Sequence, residues 1–237
     1  MDSDANTGPI IVALILIFVT IIIFFLKRIF SRSKRHVLLT GLNEAGKTVI
    51  FSQLLYNRVV TTYTSSQENI GTYGIDGKEI ILVDLPGFHG IRTQFFEKYK
   101  NQTKAIVFVI DSITFTDNVR DVANVLFNIL VDPVVIKSRP HILILCNKQD
   151  RTTAKGAKVV QSVLEKEMNT LRNTQLNQPK QLESKDNNFM DKLGDSNKSF
   201  SFSHLPYKVE FANSVATCKT GDVNLDELKK WFKNVIN

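Results

Sequence analysis

The eight residues "GLNEAGKT", Gly41 to Thr48, constrain the fold of this 237-residue chain more than any other stretch. They match G-x-x-x-x-G-K-[ST], in which backbone N–H groups wrap phosphate oxygens, the lysine adds positive charge and the hydroxyl binds Mg²⁺. The motif lies between an apolar run, "HVLLT", and a helical pattern, which is the required context. A glycine-containing turn that only caps a helix is the alternative. The predicted phosphate-binding residues are Gly41, Leu42, Asn43, Glu44, Ala45, Gly46, Lys47 and Thr48.

A second motif, "DLPG" from Asp84 to Gly87, follows the apolar run "EIILV". An acid at the carboxyl end of a strand can reach Mg²⁺ through water, and the Gly87 N–H can meet a terminal phosphate. D-x-x-G is common, so a polar strand end followed by a Pro-Gly turn stays open as an alternative. A hydroxyl from "VVTTYTSSQ", between the two motifs, should complete the Mg²⁺ site. Thr64 is favoured for this role, with Thr62 second.

A third motif, N-K-x-D, follows "HILILC" and indicates guanine as the base. Asp150 can accept hydrogen bonds from guanine N1–H and the exocyclic amine, a pair of donors that adenine lacks. Lys148 can lay its stem over the base, and Asn147 can tie this loop to the phosphate loop. The backbone of the loop after the last predicted strand should meet the base oxygen; its residues are Ser214, Val215 and Ala216. The three motifs together predict binding of GTP with Mg²⁺.

Apolar runs of strand length alternate with helical patterns from His36 onward. Further strands are predicted at "KAIVFVID", "HILILCN" and "YKVEFAN", helices at 47–56, 118–130 and 155–172, and a hairpin turning at Asp76-Gly77. This order predicts an α/β fold of the P-loop NTPase (small GTPase) type, with a mostly parallel sheet, helices on both faces and one antiparallel edge strand. The closing segment is a predicted helix whose apolar stripe is Val223, Leu225, Leu228, Trp231, Phe232 and Val235.

The residues that would catalyse GTP hydrolysis are poorly defined. Many GTPases place a glutamine directly after D-x-x-G to orient the attacking water. Here Phe88 holds that position and cannot orient water, and His89 follows it. His89 is the one catalytic candidate, although a solvent-facing histidine in a turn is the competing interpretation. The sequence therefore predicts hydrolysis that is slow or depends on a partner.

The run from Ile10 to Leu26 is apolar apart from Thr20 and precedes the predicted strands. Seventeen helical residues at about 1.5 Å each cover most of a hydrocarbon core of about 30 Å. A cleaved signal peptide is less consistent with the order of charges, because the basic residues follow the run. By the positive-inside rule, the basic side and the domain after it face the cytosol. The predicted segments are a lumenal tail at 1–8, a transmembrane helix at 9–26, a basic linker at 27–35 and a GTP-binding domain at 36–237.

Charge and cysteine usage narrow the functional classes further. The net charge is +7, but the basic cluster within 27–35 carries much of it, so no direct nucleic-acid binding is expected. The two cysteines, Cys146 and Cys218, make no disulfide framework or zinc spacing. Cys146 lies in an apolar run and is predicted to be a buried free thiol. The polar stretch 173–203 interrupts the pattern and is predicted to be a disordered insertion.

These motifs resemble the Ras-like small GTPases, and "VIDS" at Val109 to Ser112 looks like the Arf/Sar branch. The anchor followed by "KAIVFVIDS", "CNKQD", "LEKEMNTLR" and "FSHLPYKVEF" is similar to the family of signal recognition particle receptor beta subunits. The resemblance covers nearly the whole chain from the anchor onward, and is weakest at 1–8 and 173–203. In that family a histidine directly follows D-x-x-G, whereas here Phe88 intervenes before His89.

The resemblance implies a set of partners and a location. The membrane would be that of the endoplasmic reticulum, and the GTP-bound face would hold the N-terminal domain of the receptor's alpha subunit. The complex would help to deliver ribosomes with nascent chains to the translocon. The alternative is a membrane-anchored vesicle-traffic GTPase with active cycling, which a permanent span disfavours because such proteins use reversible anchors. A purely structural anchor with a vestigial pocket is disfavoured by intact Lys47, Thr48, Asp84 and Asp150.

Overall fold

The computed structural model describes residues 12–22, 36–60, 65–176, 199–217 and 223–236. The chain divides into two compact units, Met1–Lys34 and Arg35–Asn237. In the first unit, residues 12–22 form helix α1, whose large apolar side chains are 39–65% exposed. Within the described ranges, no helix has the length and apolar character needed to cross a bilayer. The predicted tail at 1–8, the basic linker at 27–35 and both ends of the predicted span at 9–26 lie outside those ranges.

The described residues of the second unit form one six-stranded sheet with the order β2-β3-β1-β4-β5-β6. Its strands are β1 His36–Thr40, β2 Asn69–Ile75, β3 Lys78–Asp84, β4 Thr103–Asp111, β5 His141–Asn147 and β6 Val209–Asn213. Strand β2 pairs antiparallel with β3, and every other neighbouring pair is parallel. The mostly parallel sheet with an antiparallel edge strand is therefore confirmed.

The hairpin that makes this edge turns at Asp76-Gly77, as predicted. Both residues have positive φ, 48° and 77°. A two-residue connection with positive φ at both positions twists in the sense that its flanking strands require, and Asp-Gly tolerates that backbone. The turn thus sets the register in which Ile75 pairs with Lys78.

Six α-helices within the described ranges cover the two faces of the sheet. They are α2 Lys47–Tyr56, α3 His89–Tyr99, α4 Val119–Leu130, α5 Pro133–Ser138, α6 Ala157–Leu176 and α7 Asp226–Ile236. Successive residues of β1 alternate between two apolar cores, with Leu38 in one and Val37 and Leu39 in the other. Helices α3 to α6 contribute to the core of Leu38, whereas α2 and α7 contribute to the core of Val37 and Leu39.

Helices α3 and α5 have weak sequence patterns and were not anticipated. Only Arg92, Phe96 and Tyr99 are buried along α3. Helix α5 is six residues long and begins at the Asp132 cap, whose carboxylate accepts from the Val134 and Val135 N–H groups at 2.8 and 3.2 Å. An N-terminal cap followed by proline starts a helix even where periodicity is too short to read.

Both ends of the predicted disordered insertion, 173–203, prove to be structured. Helix α6 continues through Leu176, and Phe200 and Phe202 are buried, with their rings edge to face at 5.2 Å. These aromatic anchors return the chain to the core, and 177–198 lies outside the described ranges. Of the predicted closing stripe, Val223 is 38% exposed because it precedes α7, whereas the other five side chains are buried.

Candidate functional site

The predicted motifs meet at the carboxyl edge of the parallel strands. Leu39 of β1 pairs with Asp84 at the end of β3, and Asp111 at the end of β4 pairs with Asn147 at the end of β5. Cys146 pairs with Asn213, the last residue of β6. All loops that carry the motifs therefore leave the sheet at one edge, which is where open α/β sheets bind ligands.

The phosphate loop has its two glycines where side chains cannot fit. Gly41 has a φ of +138°, and a Cβ there would overlap the carbonyl oxygen of Val109. Gly46 has a φ of +93°, and a Cβ there would overlap the side-chain amide of Asn147. Both the left-handed backbone and the close neighbours exclude a side chain, so the loop stays narrow enough for its N–H groups to converge.

Lys47 begins α2 and is only 6% exposed. Its Nζ donates to the Leu42 carbonyl at 2.7 Å, so the ammonium lies across the phosphate loop. Burial lowers the pKa of Lys47 to about 8, while the charge of Asp84 opposes this shift and that of Arg92 adds to it. A buried ammonium bonded to one carbonyl retains donors for a phosphate oxygen.

Thr48 and Asp84 form the predicted Mg²⁺ side of the site. The Thr48 hydroxyl donates to Asp84 Oδ2 at 2.7 Å, and Asn69 Nδ2 donates to the same oxygen at 3.0 Å. Asp84 Oδ1 is buried and has no hydrogen-bond partner among the described residues. Burial raises the pKa of Asp84, against the bonds from Asn69 and Thr48. An adjacent hydroxyl and carboxylate with a spare oxygen suit a Mg²⁺ ion that retains its waters.

Asn147 joins the phosphate loop to the loop after β6. Its Nδ2 donates to the Ala45 carbonyl at 2.9 Å. Its Oδ1 accepts from the Ser214 hydroxyl at 3.3 Å and from the Ala216 N–H at 3.2 Å. Asn147 is 2% exposed, so these bonds are shielded from water. The predicted tie is confirmed, and it extends to the predicted base loop.

Lys148 and Asp111 form an ion pair beside this loop. Lys148 has a φ of 67°, and its Nζ lies 2.7 Å from Asp111 Oδ2. Burial alone would raise the pKa of Asp111, but the bonds from Lys148 and the Ile113 N–H lower it overall. Asp111 was missed as a site residue; its signal was its place at the end of "KAIVFVID". The pair fixes the Lys148 stem beside the position where a base would lie.

The remaining base-side residues are placed as follows. Asp150 directly follows the turn, and its carboxylate lies 3.7 Å from the Arg151 guanidinium. The Gln149 N–H donates to the Ser214 carbonyl at 3.2 Å, and Val215 exchanges two 2.9 Å backbone bonds with Asn224. The loop of Ser214, Val215 and Ala216 is therefore held from both sides, with its backbone close to the N-K-x-D turn.

The loop after Asp84 brings Gly87 against the phosphate loop. A Cβ on Gly87 would lie 2.8 Å from both the backbone nitrogen and the Cα of Asn43. Phe88 and His89 are exposed, and His89 lines the cavity beside α3, but among the described residues its ring has no hydrogen bond or ion pair that would orient it for catalysis. The Gly87 carbonyl accepts a hydrogen bond from Arg92 Nη1 at 2.7 Å. Arg92 is buried and was not predicted as a site residue from the sequence. Thr62 and Thr64 lie outside the described ranges.

The fold and the three motifs at one sheet edge define the class: this is an α/β domain of the small GTPase type. The family model described as the signal recognition particle receptor beta subunit matches residues 32–209. The chain belongs to the signal recognition particle receptor beta subunit family.

Curated relatives and solved structures agree with this assignment. The chain is 40% identical to the signal recognition particle receptor subunit beta of Homo sapiens over 240 residues, covering 99% of this chain and 88% of that protein. The Rattus norvegicus protein is also 40% identical, with 99% and 89% covered. The solved structure of the mammalian SRP receptor matches with a TM-score of 0.74 and 39% identity, covering 85% of this chain and 100% of that one.

A more distant solved structure shares the fold. The signal recognition particle receptor SRb-GTP/SRX complex from Chaetomium thermophilum matches with a TM-score of 0.64 and 21% identity. It covers 84% of this chain and 97% of that chain.

Proposed function

We propose that this chain is the GTP-binding subunit of a signal recognition particle receptor and binds the N-terminal domain of the alpha subunit in a GTP-dependent way. The observation that carries the proposal is the Asn147 amide, which joins Ala45 of the phosphate loop to Ser214 and Ala216 of the base loop. A side chain that joins the phosphate loop to the loop expected to contact the base sets the spacing between them. That arrangement suits a nucleotide, which has a phosphate group at one end and a base at the other. The related Chaetomium protein forms a complex with GTP and SRX, which supports the same ligand and the same kind of partner here.

Residues of the three motifs would hold GTP and Mg²⁺. Lys47 and the N–H groups of Gly41 to Thr48 would bind phosphate oxygens, and Asp150 would pair with the base. Thr48 would ligate Mg²⁺ directly, Asp84 would act through water, and a hydroxyl in 61–64 would complete the set. Mg²⁺ would neutralise phosphate charge there. Since Phe88 cannot orient water, hydrolysis would be slow, and GTP would act mainly to order the partner surface.

The proposed location is the endoplasmic reticulum membrane, with the GTP-binding domain on the cytosolic side. The apolar run 10–26, the exposed apolar side chains of 12–22 and the basic residues that follow support an integral anchor. An anchored nucleotide switch would hold the alpha subunit at the membrane, where ribosomes deliver nascent chains to the translocon. Fractionation of cells that express the tagged full-length chain tests the location, because recovery in a soluble or non-reticular fraction would contradict it.

The experiment that tests the main proposal uses the purified full-length chain in a non-ionic detergent. Its bound nucleotide is identified by chromatography, and capture of the alpha subunit's N-terminal domain is compared with GTP, GDP or no nucleotide. We expect intact GTP that turns over in hours, and capture that requires GTP. Recovery of GDP with rapid turnover would favour the cycling vesicle-traffic GTPase, and capture independent of nucleotide would exclude the switch.

Asp150→Asn provides a matched control for guanine recognition. The amide presents donors where the carboxylate presented acceptors, so the variant should lose GTP and gain affinity for xanthosine triphosphate, whose C2 carbonyl accepts a hydrogen bond. Capture of the partner should then follow xanthosine triphosphate instead of GTP. Unchanged GTP dependence in this variant would remove Asp150 from the base site.

A further inference from the structure

Arg92 is a buried cation without an acidic partner among the described residues. Arg92 belongs to α3 and is 5% exposed. Its Nη1 donates a hydrogen bond to the Gly87 carbonyl. A guanidinium has five N–H donors, and buried charges in proteins are normally paired. Arg92 therefore has donors and positive charge to offer an anion.

Thr40 is a second polar group without a partner at the same place. It ends β1 and is 0% exposed, and its Oγ1 has no hydrogen-bond partner within the described ranges. Thr40 lies two residues after Leu38 on β1, so both side chains point to the same face of the sheet. Leu38 packs in the core to which α3 and α4 contribute, so the Thr40 hydroxyl lies on that side. A buried hydroxyl without a partner is uncommon and needs an explanation.

Both groups line one cavity of about 260 Å³ between α3 and α4. Phe96, Val125 and Ile129 form its apolar wall. The cavity shares His89, Arg92, Val125 and Asn128 with a larger one of about 820 Å³ that opens toward the phosphate loop. A compact apolar pocket with a few converging polar groups is the usual form of a small-molecule site.

The other charges around this cavity favour an anion. Glu97 and Asp132 also line it, but both carboxylates are paired with Lys100, at 2.7 and 2.8 Å. The three side chains together carry a net charge of −1, but Glu97 is 54% exposed to water and Asp132 Oδ1 also accepts from two N–H groups of α5. Both acids thus have partners of their own, whereas Arg92 has no acidic partner among the described residues. A cationic ligand would meet this unpaired guanidinium, and a purely apolar ligand would leave Thr40 and Arg92 unsatisfied.

We propose that the cavity between α3 and α4 binds a small carboxylate with a compact apolar body. The carboxylate would accept hydrogen bonds from Arg92 and Thr40, and the body would pack on Phe96, Val125 and Ile129. A guanidinium can bind a carboxylate through two parallel, charge-assisted N–H bonds. The site adjoins the phosphate loop and the D-x-x-G motif, since Thr40 precedes Gly41 and Arg92 bonds Gly87, but binding of a carboxylate there does not depend on the proposed function.

The test is isothermal titration of the full-length chain, at constant nucleotide concentration, with benzoate and with its neutral isostere benzamide. We expect saturable one-to-one binding of benzoate and at least about tenfold weaker binding of benzamide, because a charge-assisted pair is lost. Arg92→Gln should weaken benzoate by about tenfold or more. Arg120→Gln, on the exposed surface of α4, should leave it unchanged.

Thr40→Val keeps the test decisive if Arg92→Gln fails to fold. It removes only a hydroxyl that has no partner within the described part of the chain and keeps the side-chain shape, so the variant should fold at least as stably as the parent chain. It should still weaken benzoate by about fivefold. Equal binding of benzoate and benzamide, or no saturable binding up to the solubility limit, would show a water-filled cavity and overturn the proposal. Unchanged benzoate affinity in Thr40→Val would overturn it as well.

Discussion

Asn147 and Ala45 lie 102 positions apart in the chain, and the Asn147 amide donates to the Ala45 carbonyl at 2.9 Å. The same side chain accepts from Ser214 and Ala216. One amide therefore sets the distance between the loop that would hold phosphates and the loop that would hold the base. A shift in either loop must break bonds that are buried from water.

Asn147→Ala should destabilise the domain by about 2–4 kcal/mol, since three buried hydrogen bonds are lost and their partners stay unsatisfied. Urea denaturation of the ligand-free protein measures this change. Asn213→Ala is the matched control, because its exposed side chain accepts one bond from the Ala157 N–H at 3.0 Å. The control should cost less than about 1 kcal/mol. Equal losses in the two variants would contradict the role given to Asn147.

Nucleotide affinity should fall as the pH rises above 8. Burial lowers the pKa of Lys47 from 10.5 to about 8, so the ligand-free folded protein loses this proton above pH 8, whereas a bound phosphate would retain it. Linkage then predicts that GTP affinity falls by about fivefold between pH 8 and 9. Fluorescence titration with a labelled GTP analogue measures this slope.

The same shift has a defined sign for stability. Between pH 8 and 10.5 the unfolded chain binds more protons at Lys47 than the folded one, so the contribution of Lys47 to the free energy of unfolding rises with pH.

Lys47→Arg is the control for the pH dependence of GTP affinity, because a guanidinium stays charged and should flatten that dependence. A slope that persists in Lys47→Arg would assign it to another group.

Asp84→Asn should reduce the dependence of GTP affinity on Mg²⁺ without unfolding the domain. The carboxylate is 1% exposed and one of its oxygens has no partner among the described residues, so a neutral amide removes a buried charge. Groups that act on a metal through water typically change metal affinity by about 10–100-fold when removed. Titration of Mg²⁺ at fixed GTP measures the loss, and Asp117→Asn, at an exposed position in the turn before α4, serves as control. An unchanged Mg²⁺ dependence would place the ion elsewhere.

Phe88→Gln should speed single-turnover GTP hydrolysis. Phe88 is 57% exposed at the start of α3, so its replacement costs little packing, and a glutamine there could orient water. We expect an increase of at least about tenfold. His89→Ala should change the rate by less than about twofold, because the ring is exposed and no described residue holds it by a hydrogen bond or ion pair. A large loss in His89→Ala would instead establish His89 as catalytic.

Features set by backbone geometry were predictable from the sequence. Gly41 and Gly46 occupy positive φ beside close neighbours, and Asp76-Gly77 makes a tight turn, so few residue types fit these places. Apolar runs in parallel sheets are equally direct, since strands covered on both faces must be apolar throughout. The meeting of the motifs at one edge of the sheet follows from the backbone geometry of these turns and from the parallel order of the apolar strands.

Features that depend on tertiary neighbours were not predictable. Arg92 is a charged residue on a weakly patterned helix, and only the fold brings it to the Gly87 carbonyl. Asp111 gains its role from Lys148, which is 37 positions away. Phe200 and Phe202 follow a long polar stretch, so their burial could not be read from the local composition.

The two ends of the second unit meet in one core, and this sets an order on its folding. Ile50 and Phe51 of α2, which starts in the phosphate loop, share a core with Trp231 and Phe232 of α7. A ribosome makes α2 long before α7, since synthesis runs from the N-terminus. The core beneath the phosphate loop is therefore complete only when α7 has left the ribosome. A nascent chain would contain the whole phosphate-binding motif well before that motif could bind nucleotide.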